Sequence, residues 1–305
     1  EKFDGHDHVA SAAQRGAAAL VVEREVDVPP SVAVLRVADS LKALGGLGRF
    51  HRQRWWARDR VRRRVVGITG SAGKTTTRHV IEQLLSFAGS RVHSSAGNLN
   101  NAIGVPMTLL GLTDDHDLAV VEMGMNQPGE IAHLARTALP DVGVLTLVAE
   151  AHTGGVGSIE GVAQEKSELF AGLSAAGSAI VNGDDSLARA GLARSSAARK
   201  LVYGWCEDAD VRLLSRTARG LAGSDVRIEL RHAGATAQVF ELALPLLGRA
   251  GVYATLAAIA TLAALDPGMP ADRMARVVAR LAELAPGEGG RLAARERADG
   301  TVVID

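Results

Sequence analysis

Val65-Val66-Gly67-Ile68-Thr69-Gly70-Ser71-Ala72-Gly73-Lys74-Thr75 decides the fold of this chain, because an apolar run, a glycine-rich turn, a lysine and a hydroxyl follow one another at the start of a helical pattern. Val65 to Thr69 reads as a short buried strand. Thr76 to Ala88 reads as a helix with Val80, Ile81, Leu84, Leu85 and Ala88 on one side. A strand, a Gly-rich turn and a helix in that order make a phosphate cradle. Backbone N–H groups converge on phosphate oxygens, the helix start adds positive potential, Lys74 reaches the outer phosphates and the Thr75 hydroxyl can hold Mg²⁺. Ile68 stands where the longer eight-residue pattern has a glycine, so the turn fits the shorter G-x-x-G-K-[ST] form.

Beyond the loop, 305 residues are long for one domain, and 47% hydrophobic content can fill real cores. The 34 basic and 34 acidic residues cancel, which argues against a nucleic-acid-binding surface as the main business. The one cysteine, Cys206, has no internal disulfide partner and sits beside Trp205 as a packing residue. With the nucleotide loop, this points to a reducing cytoplasm. No apolar run approaches membrane-spanning length and no signal peptide is visible, so a monomer that does not insert into membranes is expected. Glu1 opens mid-pattern without Met, and Thr301 to Asp305 close on an apparent strand, so both ends are expected to be incomplete.

Residues 1–63 are expected to form a partial N-terminal α/β domain with a linker helix, and 64–305 a central nucleotide-binding domain. In the first, a helix-like Val9 to Gly16 alternates with apolar runs at 18–22 and 32–35, and a helix begins at Asp39. Arg49 to Arg64 carries eight arginines around Trp55 and Trp56, read as an amphipathic helix and hinge whose arginines are solvated. From Val65 onward strands and helices alternate: strands near 91–93, 118–122, 142–148 and 178–182, helices near 105–110, 129–135 and from Ser158. The fold class is therefore α/β, a doubly wound, mostly parallel sheet of P-loop type with ligands at the carboxyl ends of its strands. Between Asp210 and Leu247 the alternation of Val226 to Leu230 and Gln238 to Leu242 predicts an antiparallel edge insert. Two apolar helices follow, 252–265 and 271–284.

Three residues then ask for a role. Glu122 ends the run Leu118 to Val121, so its carboxylate should project at the same sheet edge as the loop, a candidate Mg²⁺ ligand or else a solvated strand end. His152 follows the strand at 142–148 at that same edge, where a lone histidine is as readily structural. Lys166 occupies the centre of the apolar stripe Ile159, Val162, Leu169, Phe170 and Leu173. It either snorkels or pairs with Glu122, or it is a partly desolvated amine available for chemistry.

The ordered motifs resemble the Mur ligase family. They are Thr69 to Thr77; Gly97-Asn98-Leu99-Asn100-Asn101 with Ile103-Gly104-Val105-Pro106; Val121-Glu122-Met123-Gly124-Met125-Asn126 with Gly129-Glu130-Ile131; Ala151-His152; and Glu165-Lys166 with Glu168-Leu169-Phe170. The opening Lys2-Phe3-Asp4-Gly5-His6-Asp7 is similar to the end of a substrate-binding motif in the branch that adds D-alanyl-D-alanine to UDP-N-acetylmuramoyl-tripeptide. The resemblance implies an ATP-dependent peptide ligase of peptidoglycan precursor synthesis, in which ATP phosphorylates the stem-peptide carboxylate and an amine displaces phosphate. It implies that Gly70, Ser71, Ala72, Gly73, Lys74, Thr75, Thr76 and Arg291 bind ATP, and that Thr75 and Glu122 hold one Mg²⁺. His152 would assist at a second Mg²⁺. Lys166 would be carbamylated by CO₂ into a carboxylate-like group, and Asn98, Asn100 and Asn101 would contact the UDP-MurNAc-peptide. Lys74, His152 and Lys166 are the catalytic set of this reading.

Where the family shows Gly-Arg-His-Asn-x-x-Asn to hold adenine, the chain reads Gly248-Arg249-Ala250-Gly251-Val252-Tyr253-Ala254, so stacking or backbone contacts, with Tyr253, are expected instead. Pro286-Gly287-Glu288-Gly289-Gly290-Arg291 resembles the family's Pro-Gly-Arg with an insertion. The chain stops where the family continues into a domain that closes over ATP and receives the dipeptide, so substrate binding is expected to exceed turnover. A ligase of the same scaffold with another acceptor, or a degenerate nucleotide-binding paralogue without catalysis, would share these motifs.

Overall fold

The computed structural model describes residues 4–150, 157–231 and 236–284, together with strand segments 294–296 and 302–304. After a short helix α1 (Val9–Gln14), strands β1 (Ala19–Val22) and β2 (Ala33–Arg36) pair in parallel as a separate two-stranded sheet. The long α2 (Ser40–Arg58) starts at Asp39, whose carboxylate accepts from the Lys42 N–H. The chain then builds β3 (Arg64–Thr69), α3 (Lys74–Phe87), β4 (Val92–Ser94), α4 (Gly104–Leu110), β5 (Leu118–Glu122), α5 (Glu130–Ala138) and β6 (Val142–Leu145). It continues through α6 (Ile159–Ala171), β7 (Ser178–Asn182), α7 (Ser186–Ala190), β8 (Arg199–Gly204), β9 (Val211–Ala218), β10 (Ser224–Leu230), β11 (Gln238–Leu244), α8 (Gly248–Leu265) and α9 (Ala271–Ala279). Beyond lie β12 (Ala294–Glu296) and β13 (Val302–Ile304), an antiparallel pair.

Among the described residues, nine strands form one sheet in the order β11-β10-β9-β8-β7-β6-β3-β5-β4. Every pair from β4 to β9 is parallel, while β10 and β11 are antiparallel at the edge, which is the insert that the alternation of residues 226–242 predicts. The sheet is covered on both faces, as a parallel sheet must be. Val66 and Ile68 of β3 and Val120 of β5 pack with Val80, Leu84, Ile259 and Met274 of α3, α8 and α9. Val65 and Val121 face the other way, toward Val105, Ile131, Leu134, Leu169 and Phe170 of α4, α5 and α6.

Several expectations need correction. The strand expected over 142–148 ends at Leu145, because the next residue turns its hydroxyl into the loop (below). β8 has no counterpart in the sequence reading, since Arg199 and Lys200 dilute its apolar run. The helix expected over 271–284 gives way after Ala279 to a 3₁₀ turn at Arg280–Glu283. Not all arginines of the basic run are solvated: Arg52 is 5% and Arg63 8% exposed. Arg63 donates to Trp55 O and Asp114, and Arg52 to Ala138 O, Leu139 O and Asp141 at the end of α5. Finally, α8 is long and apolar enough to cross a membrane by composition, contrary to the reading above, but most of it is buried as the core helix of this sheet.

Candidate active site

The loop follows from the strand it leaves and the helix it opens. Gly73 caps α3 with φ +79, a left-handed conformation that a side chain would strain. At Gly70 a Cβ would lie 1.9 Å from Thr146 Oγ1, so only glycine fits. Thr146, just past β6, donates its hydroxyl to Ala72 O at 2.7 Å. Ser71 donates its backbone N–H to Leu147 O at 2.8 Å, and its hydroxyl accepts from Ala149 N–H at 2.9 Å. The turn is thus pinned by the segment after β6 and needs no ligand to hold its shape. Lys74 curls back, its Nζ donating to Gly70 O at 2.9 Å.

On one side of the loop lies a cleft of about 840 Å³ lined by Ser71, Gly73, Lys74, Thr75, Asn98, Asn100 and Glu122, among others. Glu122, at the carboxyl end of β5 and 2% exposed, accepts from Thr75 Oγ1 at 3.0 Å and from Asn100 Nδ2 at 2.9 Å. The two residues expected to share a cation therefore touch, and their oxygens are the hard donors that Mg²⁺ prefers. Among the described residues no group of three or more His, Cys, Asp and Glu could hold a metal by itself. One carboxylate, one hydroxyl and open positions suit Mg²⁺ bound partly through phosphate. Asn101 is placed differently: its Oδ1 accepts from the Ile103 and Gly104 N–H groups and starts α4, and it is not among the cleft residues. Thr76 lies in the first turn of α3, half-buried.

Lys166 sits within α6, 1% exposed. It makes no ion pair with Glu122 or with any other described residue. Burial, reinforced by the charge of Lys74 and opposed by that of Glu165, lowers its pKa to about 8. Its neighbour Glu165 is used structurally, accepting from the Gly129 and Ile131 N–H groups at 2.9 Å and so capping α5. His152 and Arg291 lie outside the described residues.

A second cavity, about 330 Å³, opens on the other side of Ala72 and Gly73. Its walls include Thr146, Leu147, Asn182, Asp184, Tyr203, Arg249 and Tyr253, from the segment after β6, the end of β7 and the turn beyond it, β8 and the start of α8. Tyr253 donates its hydroxyl to Asp184 at 2.6 Å, carries the Arg249 guanidinium 5.7 Å from its ring centroid, and meets Tyr203 edge-on at 6.5 Å. Sequence reasoning reached Tyr253 but missed Asn182 and Asp184. Their position directly after the apolar run of β7, at the same edge as the loop, was the available signal.

A family model described as the Mur ligase middle domain matches residues 68–262. The chain belongs to the Mur ligase family. Among curated proteins, this Mur ligase is 32% identical, over 100% of its length and 60% of the relative, to the UDP-N-acetylmuramoyl-tripeptide--D-alanyl-D-alanine ligase of Mycobacterium bovis. It is 37% identical to the Bacillus subtilis enzyme of the same name, over 85% of this chain and 53% of that one. MurF from Acinetobacter baumannii superposes with a TM-score of 0.82 at 30% identity, covering 98% of this chain and 61% of that one. MurF from Thermotoga maritima, solved with ADP, gives 0.78 at 26% identity, over 97% and 64%. The Mur ligase described here thus spans about half the length of the curated relatives it matches. The likenesses bear out the α/β class and the mostly parallel sheet.

Proposed function

We propose that the chain is the nucleotide-binding core of an ATP-dependent amide ligase that joins D-alanyl-D-alanine to UDP-N-acetylmuramoyl-tripeptide in peptidoglycan precursor synthesis, in the cytoplasm. The observation that carries this reading is the Thr75–Glu122–Asn100 cluster beside the pinned loop, in a chain whose relatives carry that name. Residues 64–305 serve ATP, and residues 1–63 belong to the side that receives the UDP-linked substrate.

In this reading the loop N–H groups and Lys74 cradle the β- and γ-phosphates, with Lys74 exchanging Gly70 O for phosphate oxygen. Thr75 and Glu122 would hold one Mg²⁺, which when bound neutralises phosphate charge. A carboxylate oxygen of the stem peptide attacks the γ-phosphorus as its bond to ADP breaks. The dipeptide amine then attacks the acyl carbon, phosphate leaves with the C–O electron pair, and the amine loses a proton. Positioning and charge neutralisation are the protein's main tasks in such a transfer. Asn98 and Asn100 line the cleft where the acyl donor would enter, Asn101 shapes their loop, and Thr76 extends the phosphate-facing turn. Lys166 would take up CO₂ to become a carbamate near Lys74. His152 and Arg291 keep the metal and phosphate roles that the family resemblance gives them.

Calorimetry with ATP and Mg²⁺ tests the loop: Lys74→Ala should weaken binding at least about tenfold, the scale of losing one charged phosphate contact. Unchanged affinity would refute the assignment. With the full-length gene product, ATP should be converted to ADP and phosphate when UDP-MurNAc-tripeptide and D-alanyl-D-alanine are both present. Release with a different amine only would move the acceptor to a related ligase.

A further inference from the structure

The cavity beside the loop holds two polar side chains whose hydrogen-bonding capacity is only partly used. Asn182, at the end of β7 and 6% exposed, accepts from the Asp184 N–H through Oδ1 at 3.1 Å. That bond fixes the amide, leaving Nδ2 as the end offered to the cavity. Asp184 accepts from the Trp205 N–H at 2.7 Å, the Cys206 N–H at 2.9 Å and the Tyr253 hydroxyl at 2.6 Å. A carboxylate has about four acceptor sites, so one remains. A fixed donor and a fixed acceptor, two residues apart, therefore line a cavity contiguous with the phosphate turn through Ala72 and Gly73.

We propose that Asn182 and Asp184 select the nucleobase, the Asn182 amide donating to a ring nitrogen of adenine while the Asp184 carboxylate accepts from its 6-amino group. The proposal rests on the nucleotide reading above and adds the residues that decide which nucleotide is taken. Adenine sets its 6-amino donor next to a ring-nitrogen acceptor, which complements this pair. A 6-oxo purine places a carbonyl oxygen where the amino group was, against the carboxylate, and on its pairing edge exchanges donor for acceptor. Tyr253, held by Asp184 and covered by Arg249, supplies the wall but does not read the base edge.

The test is calorimetry of this chain with ATP and with inosine triphosphate, each with Mg²⁺. Wild type should bind ATP about tenfold or more tightly than the inosine nucleotide, the discrimination of one good donor–acceptor pair. Asp184→Asn, whose amide can donate to a 6-oxo group, should shrink that ratio to about threefold or less. Asn182→Ala, which leaves the three bonds to the Asp184 carboxylate in place, should also narrow it. Lys74→Ala should weaken both nucleotides alike and keep the ratio. Equal binding of the two by wild type overturns the proposal while sparing the phosphate loop. So does an unchanged ratio in an Asp184→Asn or Asn182→Ala protein that melts like wild type. Binding of neither nucleotide to wild type overturns the nucleotide reading itself, and this proposal with it.

Discussion

Lys166 stands where the helix that carries it would otherwise place hydrocarbon. Its pKa of about 8 lies below the ordinary 10.5 of a lysine amine, because burial and Lys74 both disfavour the ammonium. The unfolded chain therefore holds this proton more tightly than the folded one, and the resulting penalty on folding is present below pH 8 and fades as pH climbs from 8 toward 10.5. Uptake of CO₂ needs the neutral amine, which gives a carbamate and a proton. The neutral fraction rises from about 10% at pH 7 to about 90% at pH 9 for a pKa near 8. Carbon-13 bicarbonate should then yield a carbamate resonance that grows across this range and is absent from Lys166→Arg. A signal of constant size would contradict the titration on which the modification depends. The buried position of this amine was readable from the apolar stripe around it. Its separation from Glu122 was not, because sequence spacing fixes which face of a helix a residue occupies but not how far that face stands from a neighbouring strand end.

Helix α2 shows how a basic run can be misread. Eight arginines in sixteen positions look like a solvated face, yet Arg52 reaches past its own helix to close α5, whose last carbonyls have no partner inside that helix. Leu139, with φ +48, turns the chain out of α5, and Arg52 donates to both carbonyls at that corner while pairing with Asp141. Asp141 in turn accepts from the Val65 N–H at the foot of β3. Arg52→Ala should take the donor from two carbonyls and the cation from this carboxylate, leaving it the Val65 N–H, and cost about 3 kcal/mol, measured by urea denaturation. Arg54→Ala, exposed on the same helix, should cost under about 0.5 kcal/mol. Local periodicity located β3 and the start of α2 within a residue, but not the end of α2, which stops at Arg58 inside the basic run. What it could not supply was the partner of Arg52, eighty-six or more positions further along the chain.

Nucleotide should stabilise this protein in proportion to its occupancy. At a ligand concentration of 100 times Kd the gain is about 2.7 kcal/mol, read as a rise in Tm with ATP and Mg²⁺ that Lys74→Ala cuts to about half or less at the same concentration. The alternation of apolar runs and helices made the parallel sheet legible, since burial on both faces leaves continuous Val, Ile and Leu segments. The order of strands and the second cavity were not legible, because they depend on which strand ends meet at one edge.

The sheet also has a narrow waist. β8 and β9 are matched at only two positions, Tyr203 with Val211 and Gly204 with Arg212, whereas β10 and β11 are zipped along seven. Main-chain bonding is thus a poor tether for the three outermost strands, and helix α8, packed across β6 through β10, has to act as the splint. Tyr253 rides on that splint. Any loosening between the inner and outer strands would register first as a change in how firmly Tyr253 grips Asp184, so the seat for the base is also the place where slack in the sheet would be felt.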